Sequence, residues 1–297
     1  MSYADFVAFR KSLPRTPRVE RQTVRARGID FAVFSSPPIE TAPPLLCING
    51  GMLYDHSMLW PALSPLAQSR QVILYDQRGR GASSAPANPG DATIDDDAGD
   101  VGALRRALGI RRWDVLGHSW GGGIAMLATA ADTAGVRRLV LVDAVGPTSE
   151  WMAPLRQAVL DRLVGEERDA VARVSEESLG NPDPALHSAY ARAVYPAWFA
   201  DPDLAERFTP PDALSPTGAA TLARLRRHGY DWRDRLRGLS TPTLVLHGEL
   251  DPLPLAVSST NSYILANASR IVVPTSGHMP FWEAPERFFS LIKSFLL

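Results

Sequence analysis

Ser119 lies in the run Gly117-His118-Ser119-Trp120-Gly121, directly behind the short apolar stretch Trp113 to Leu116 and directly ahead of a helical stretch, Trp120 to Ala131. A serine held exposed on a sharp strand-to-helix turn needs glycine two positions to either side, because a side chain there collides with neighbouring backbone. Gly122 and Gly123 let the helix approach the strand closely. A hydroxyl at its ordinary pKa is a weak nucleophile; it requires an imidazole base, and the imidazole requires a carboxylate to fix its tautomer. His278 stands in Ser276-Gly277-His278 after the strand-like run Arg270 to Val273, and Asp251 closes His247-Gly248-Glu249-Leu250-Asp251 after Thr243 to His247. The order Ser119, Asp251, His278 is one in which such triads occur along a chain. His118 is expected to point away from its neighbour on the turn, His56 to begin or precede a helix, and His187 and His228 to lie in a later insertion. His247, at a strand end, is the rival base, and Asp143, which ends Leu139 to Val142, is the alternative acid.

Acyl transfer also develops negative charge on a carbonyl oxygen, which preorganised backbone N–H groups stabilise. One such donor is the amide after the nucleophile, Trp120. The other is expected from Asn49-Gly50-Gly51-Met52, the loop after the apolar run Leu45 to Ile48, with Gly51 the first choice and Met52 the next.

These residues must be carried by a scaffold. Arg18 to Ala26 and Ile29 to Phe34 predict two strands turning at Gly28, and Leu45 to Ile48, Val72 to Tyr75, Trp113 to Leu116 and Leu139 to Val142 have the apolar character of buried parallel strands. Helical stretches alternate with them at His56 to Gln68, Asp95 to Leu108 and Trp120 to Ala131; Thr93 and the acidic Asp95, Asp96 and Asp97 suit a helix N-terminus. Such alternation predicts an α/β fold, a mostly parallel sheet with helices on both faces. It stops after Val145. Residues 147–229 offer helical stretches, among them Trp151 to Leu163 and Asp169 to Leu179, broken by Pro-rich turns at Asn181-Pro182-Asp183-Pro184, Asp201-Pro202 and Pro210-Pro211. An insertion of this length predicts a helical cap over a core made of residues 1–146 and 230–297, closed by a helix from Pro285 to Leu297. Its aromatic inventory, Trp151, Tyr190, Tyr195, Trp198, Phe199 and Phe208, predicts an apolar pocket above Ser119, with Met52, Trp151, Tyr195 and Trp198 as pocket residues.

Composition narrows the function classes. Across 297 residues, 31 Lys and Arg stand against 32 Asp and Glu, a net charge of −1 that offers no electrostatic footprint for nucleic acid. The single cysteine, Cys47, excludes an intrachain disulfide framework and a multi-cysteine zinc site. No His-Glu-x-x-His spacing and no Gly-Lys-Ser/Thr run is present, so neither a metal nor a nucleotide cofactor is expected. Met1 to Arg10 has no charged n-region with a long apolar run, and no window approaches roughly 18 apolar residues, so neither signal peptide nor membrane span is expected and a cytoplasmic location is. Oligomeric state stays open.

Asn49-Gly50-Gly51, Tyr75-Asp76-Gln77-Arg78-Gly79-Arg80-Gly81, Gly117-His118-Ser119-Trp120-Gly121-Gly122 and Gly277-His278 together resemble the α/β-hydrolase superfamily, and within it the proline iminopeptidase-like branch. The resemblance spans Leu45 to Val145 and Thr243 to Leu297 and does not extend through the cap. It implies a cofactor-independent serine hydrolase, with Ser119, Asp251 and His278 catalytic and the Gly51 and Trp120 amides as oxyanion hole, cleaving an ester, lactone or amide of a small, partly apolar molecule. The branch carries His-Gly-Gly-Pro-Gly where this chain has Asn49-Gly50-Gly51-Met52-Leu53, which weakens the specific implication of an aminopeptidase. An aminopeptidase also needs carboxylates around the substrate ammonium, for which Glu166, Glu167, Glu176 and Glu177 are the cap's offer. Proline iminopeptidase activity and a non-catalytic small-ligand receptor on the same fold are the alternatives.

Overall fold

The computed structural model describes residues 8, 18–174, 184–205 and 215–297. Among these residues eight strands form one sheet: β1 (Glu20–Ala26), β2 (Ile29–Ser35), β3 (Leu45–Ile48), β4 (Val72–Tyr75), β5 (Trp113–His118), β6 (Val136–Val142), β7 (Thr243–Gly248) and β8 (Ala268–Val273). Their spatial order is β1-β2-β4-β3-β5-β6-β7-β8. β1 and β2 form an antiparallel hairpin, β2 runs antiparallel to β4, and every later pairing is parallel. β3, β4, β5 and β7 are buried along their whole length, as expected of strands covered on both faces.

Helices α1 (Ile94–Ala107) and α2 (Trp120–Ala131) pack on one face. Thr93 caps α1 through a reciprocal pair with Asp96, as the Thr-x-x-Asp spacing predicts. The closing helix α11 (Pro285–Leu296) covers the other face through Phe288, Phe289, Ile292 and Leu296, its i, i+3/i+4 stripe. Between β6 and β7 the described elements are helical: α3 (Met152–Arg162), α4 (Gly165–Arg173), α5 (Pro184–Val194), α6 (Pro202–Ala205), α7 (Pro216–His228) and α8 (Arg233–Leu236). α9 (Leu255–Ile264) and the short α10 (Pro280–Glu283) complete the core. No helix among the described residues is long and apolar enough to cross a membrane.

The helix expected from His56 to Gln68 does not form. Two 3₁₀ turns, His56–Met58 and Ser64–Gln68, take its place. Pro61 and Pro65 withdraw two N–H donors from the middle of that stretch, and a proline ring inside a helix clashes with the preceding turn. Asn181-Pro182-Asp183, Pro210-Pro211, Phe208, Glu176 and Glu177 lie outside the described residues.

Strand order places the site. After β3 the chain moves to one side to make β4 and then crosses to the other side of β3 to make β5. Loops leaving the carboxyl ends of β3 and β5 therefore diverge and leave a crevice, the preferred ligand position in an open parallel sheet. Ile48 pairs with Gly117 across that boundary, so Asn49-Gly50-Gly51 and Ser119 emerge side by side.

Candidate active site

Ser119 occupies the turn between β5 and α2 with φ 55° and ψ −122°, a left-handed conformation unusual for a residue with a Cβ. Its amide donates to the Val142 carbonyl at 2.9 Å, and its own carbonyl accepts from Gly122 at 2.9 Å and Val145 at 3.2 Å. The flanking glycines are there for space. A Cβ at position 117 would run into the Gly121 carbonyl, and one at 121 into the Ile48 carbonyl. Position 50 faces the turn directly: a Cβ there would lie 2.5 Å from the Ser119 Cβ and 2.8 Å from the His118 carbonyl oxygen. The 49–52 backbone thus lies against Ser119 because Gly50 has no side chain.

That loop is anchored by the Asp76-Gln77-Arg78-Gly79-Arg80-Gly81 run. Gln77 Nε2 donates to the Asn49 carbonyl at 3.0 Å. Arg80, 1% exposed, donates from Nε to the Met52 carbonyl at 2.9 Å while both Nη atoms bind the Asp97 carboxylate at 2.9 and 3.0 Å. The pairing neutralises a guanidinium that burial alone would make costly. Arg78 makes the corresponding bidentate bond to Asp100 at 2.7 and 2.5 Å, a structural ion pair. Asp76 accepts from the backbone of His56 and Ala82. The Gly51 backbone has φ 63°, and the Trp120 amide sits in the first turn of α2, where no intrahelical acceptor exists.

His278 and Asp251 meet. The imidazole Nδ1 lies 2.8 Å from Asp251 Oδ2, and Asp251 Oδ1 accepts the Leu253 amide at 2.9 Å. A proton on Nδ1 is donated to the carboxylate, which leaves Nε2 bare. Burial holds the His278 pKa below the ordinary imidazole range, so the ring is neutral at pH 7. The His278 backbone is fixed twice, its amide donating to the Trp198 carbonyl at 2.8 Å and its carbonyl accepting from His118 Nε2 at 2.9 Å, and the Trp198 indole packs against its ring at 4.5 Å. His118 is spent in that role. Burial and the neighbouring imidazole push its pKa down to about 3, so it stays a neutral donor. The rival His247 is fully buried and engages the Leu253 carbonyl through Nε2 at 2.9 Å. Asp143 accepts the Gly248 amide at 2.7 Å and lies near His247, at 3.8 Å, instead of on His278.

Glu283 escapes sequence reading. Buried in α10, its carboxylate accepts the amides of Ala200, Gly277 and Met279 at 2.8, 3.0 and 3.0 Å, bracketing His278 from both sides. A Glu five residues after a loop histidine is the signal, but nothing in the sequence reveals three converging amides. Glu283→Gln keeps the shape and turns one acceptor into a donor that faces N–H groups. We expect a stability loss of about 2 kcal/mol in urea denaturation and a fall in kcat larger than any change in KM. An unchanged kcat with the same stability loss would limit Glu283 to holding the fold.

A cavity of about 180 Å³ opens on Ser119, Trp120, Gly51 and His278. Met52, Trp151, Tyr195 and Trp198 line it, as do Tyr54, Tyr190, Met152, Leu155, Val159 and Leu222. Trp151 donates from Nε1 to the Tyr230 hydroxyl at 2.7 Å and meets Trp120 edge-on at 5.3 Å, which fixes that wall. Phe199 does not line the cavity; it is buried in the core beneath α11. Among the described residues, two groups bring three metal-type donor atoms within 4.8 Å, Asp55-His56-Asp76 and Asp143-His247-Asp251. In the first, His56 bonds to Asp76 at 2.7 Å; in the second, Gly248, Leu253 and His278 engage Asp143 Oδ1, His247 Nε2 and Asp251, while Asp143 Oδ2 and His247 Nδ1 have no partner among the described residues.

Comparison with known proteins agrees with this architecture. A proline iminopeptidase of Lactobacillus delbrueckii subsp. lactis is 29% identical over 274 residues, which span 86% of this chain and 90% of the relative. A 2-hydroxymuconate semialdehyde hydrolase of Pseudomonas putida is 31% identical over 237 residues, 77% of this chain and 78% of the relative. A thermophilic esterase from Thermogutta terrifontis superposes with a TM-score of 0.65 at 25% identity, covering 93% of this chain and 98% of its own. A family model described as the alpha/beta hydrolase fold matches residues 43–285, and the chain belongs to that family of hydrolases.

Proposed function

We propose that the protein is a cofactor-independent serine hydrolase that cleaves small esters or lactones with a partly apolar body. Ser119 Oγ attacks the substrate carbonyl carbon as its proton passes to His278 Nε2. The oxyanion of the tetrahedral intermediate is held by the Gly51 and Trp120 amides. Collapse of that intermediate breaks the bond to the leaving alcohol, which takes the proton from Nε2. A water molecule deprotonated by the same nitrogen then attacks the acyl-enzyme and frees Ser119. Asp251 keeps the imidazole in the Nδ1–H tautomer throughout. The observation that carries this reading is one cavity lined by Ser119, at φ 55°, and by His278, whose Nδ1 is 2.8 Å from a buried carboxylate. Residues 147–229 act as the cap, supplying Trp151, Tyr195 and Trp198 to the wall.

The relatives named proline iminopeptidase favour a second reading, removal of N-terminal proline. Against it, no Asp or Glu stands among the described residues lining the cavity, and Glu166 and Glu167 are exposed on α4. The deciding experiment compares methyl esters of proline and N-acetylproline, together with a proline arylamide, as kcat/KM under identical conditions. An esterase accepts the acetylated ester at least as well as the free amine. A strong preference for the free amine with rapid arylamide turnover would establish the aminopeptidase instead. Absence of turnover on every ester, with no labelling by a fluorophosphonate, would leave the ligand-receptor alternative.

The same base sets the pH profile. His278 works only when neutral, and burial lowers its pKa, so more acid is needed to protonate it in the fold than in water. We expect kcat/KM to hold as pH falls through 6.5 and to decline only below it. An acid limb centred at or above pH 7 would contradict the neutral, buried base.

A further inference from the structure

The cavity wall contains two guanidinium groups that the reaction does not use. Arg156 and Arg226 both line it, on α3 and α7. Neither position is incidental. On α3 the lining residues are Met152, Leu155, Arg156 and Val159, the i, i+3, i+4, i+7 stripe that faces one direction. On α7, Arg226 follows Leu222 by four residues on the lining side, whereas Arg224 and Arg227 of the same helix are exposed. Basic residues in a last helical turn commonly answer the helix dipole, and Arg227 and His228 do so from solvent. Arg226 is turned the other way.

No described acidic side chain answers it. Among the described residues, Arg226 Nη1 is buried with no hydrogen-bond acceptor and neither arginine has an ion-pair partner; Arg156 donates to the Val174 carbonyl at 3.2 Å. The other arginines buried beside the core do have partners: Arg70 and Arg137 share Asp114, and Arg78 and Arg80 hold Asp100 and Asp97. A buried donor of a cationic group without an acceptor is costly, and a guanidinium fork matches a carboxylate in geometry. No carboxylate stands among the described residues lining the cavity.

We infer that Arg226, assisted by Arg156, binds a free carboxylate on the substrate, so that the preferred substrate is an ester or lactone of an acid bearing a second, ionised carboxyl group. The inference rests on the serine hydrolase reading for the word substrate, though not for the binding site. The apolar walls then take the intervening carbon skeleton, and the carboxylate sets which carbonyl reaches Ser119.

Two measurements test it separately from catalysis. The first is calorimetric binding of glutarate and adipate to the Ser119→Ala protein, alone and with Arg226→Met. Saturable binding that weakens about ten- to hundredfold in the double variant is expected, the loss of one charge-assisted contact. The second is the ratio of kcat/KM for monomethyl adipate to that for its neutral N-methylamide, in the wild type, Arg226→Met and Arg226→Lys. The ratio should exceed one in the wild type, fall about ten- to hundredfold in Arg226→Met and recover in part in Arg226→Lys. Wild-type preference for the neutral ester, or a ratio unmoved by Arg226→Met in a protein that still labels with a fluorophosphonate, would overturn the carboxylate site and leave the hydrolase reading standing. Dicarboxylate binding without fluorophosphonate labelling would support the site and remove the serine mechanism.

Discussion

Ser119→Ala should lower kcat by about six orders of magnitude, the scale at which loss of a triad serine acts, and should abolish the mass shift that a fluorophosphonate adds to the wild-type protein. The physical basis is positional: the left-handed turn sets Ser119 on the cavity wall beside His278, and the flanking glycines make room for it. The fold should survive. Alanine at φ 55° is strained about as much as serine, so the melting temperatures of wild type and Ser119→Ala should agree within a few degrees. Ser119→Gly supplies the control, since glycine occupies that region freely. It should be as inactive as the alanine variant yet about 1 kcal/mol more stable, the strain held by the nucleophile position. Retained labelling in Ser119→Ala would place the nucleophile elsewhere. Equal stability of the alanine and glycine variants would mean that the turn is unstrained.

The core strands are legible in the sequence because each is a short apolar run bounded by turn residues, and burial on both faces demands such runs. Only their ends shift: β5 continues to His118, β6 begins at Val136. The stretch His56 to Gln68 shows where periodicity misleads, because its apolar spacing satisfies a helix while Pro61 and Pro65 forbid one. Site legibility divides along the same line. Motifs tied to a local turn, Gly117 to Gly121 and Asn49 to Gly51, reveal themselves because a collision or a close approach dictates the residue type. Contacts made across the sheet do not. Glu283 reaches Ala200 from 83 residues away, and Arg80 reaches the Met52 carbonyl over the top of β3, so neither leaves a local pattern. Arg226 is hidden for another reason: in sequence, a basic residue in the last turn of a helix needs no explanation beyond the dipole. His118 shows the opposite case, a histidine beside the serine in sequence whose ring instead serves the backbone of His278.

Asp251→Asn should cost about four orders of magnitude in kcat, as loss of the triad carboxylate does in serine proteases, and Asp143→Asn less than about tenfold. The sequence leaves these two open because β6 and β7 are neighbours, and the residues that follow them arrive at the same place: one oxygen of each lies with a His247 nitrogen inside a 4.8 Å cluster. Their hydrogen bonds separate them. Asp251 receives two donors, the Leu253 amide and the His278 ring, and both favour its ionised form. Asp143 receives one, from Gly248, and its Oδ2 has no donor. Burial pushes both carboxyls upward; the neighbouring Asp251 charge raises Asp143 further, well above the ordinary range, whereas the Leu253 amide and Asp143 hold Asp251 back. Of the two adjoining buried carboxyls Asp143 is raised the more strongly, so it is the one that stays protonated while Asp251 ionises. An asparagine at 143 replaces a neutral carboxyl by a neutral amide of the same shape and leaves the local charge unaltered, hence the small effect. An asparagine at 251 turns an N–H toward His278 Nδ1, drives the ring into the Nε2–H tautomer and removes the base. Both variants are to be measured on one ester at saturating concentration, with circular dichroism to verify folding. A larger loss in Asp143→Asn than in Asp251→Asn would exchange the roles of the two aspartates and make the 2.8 Å contact to His278 a structural one.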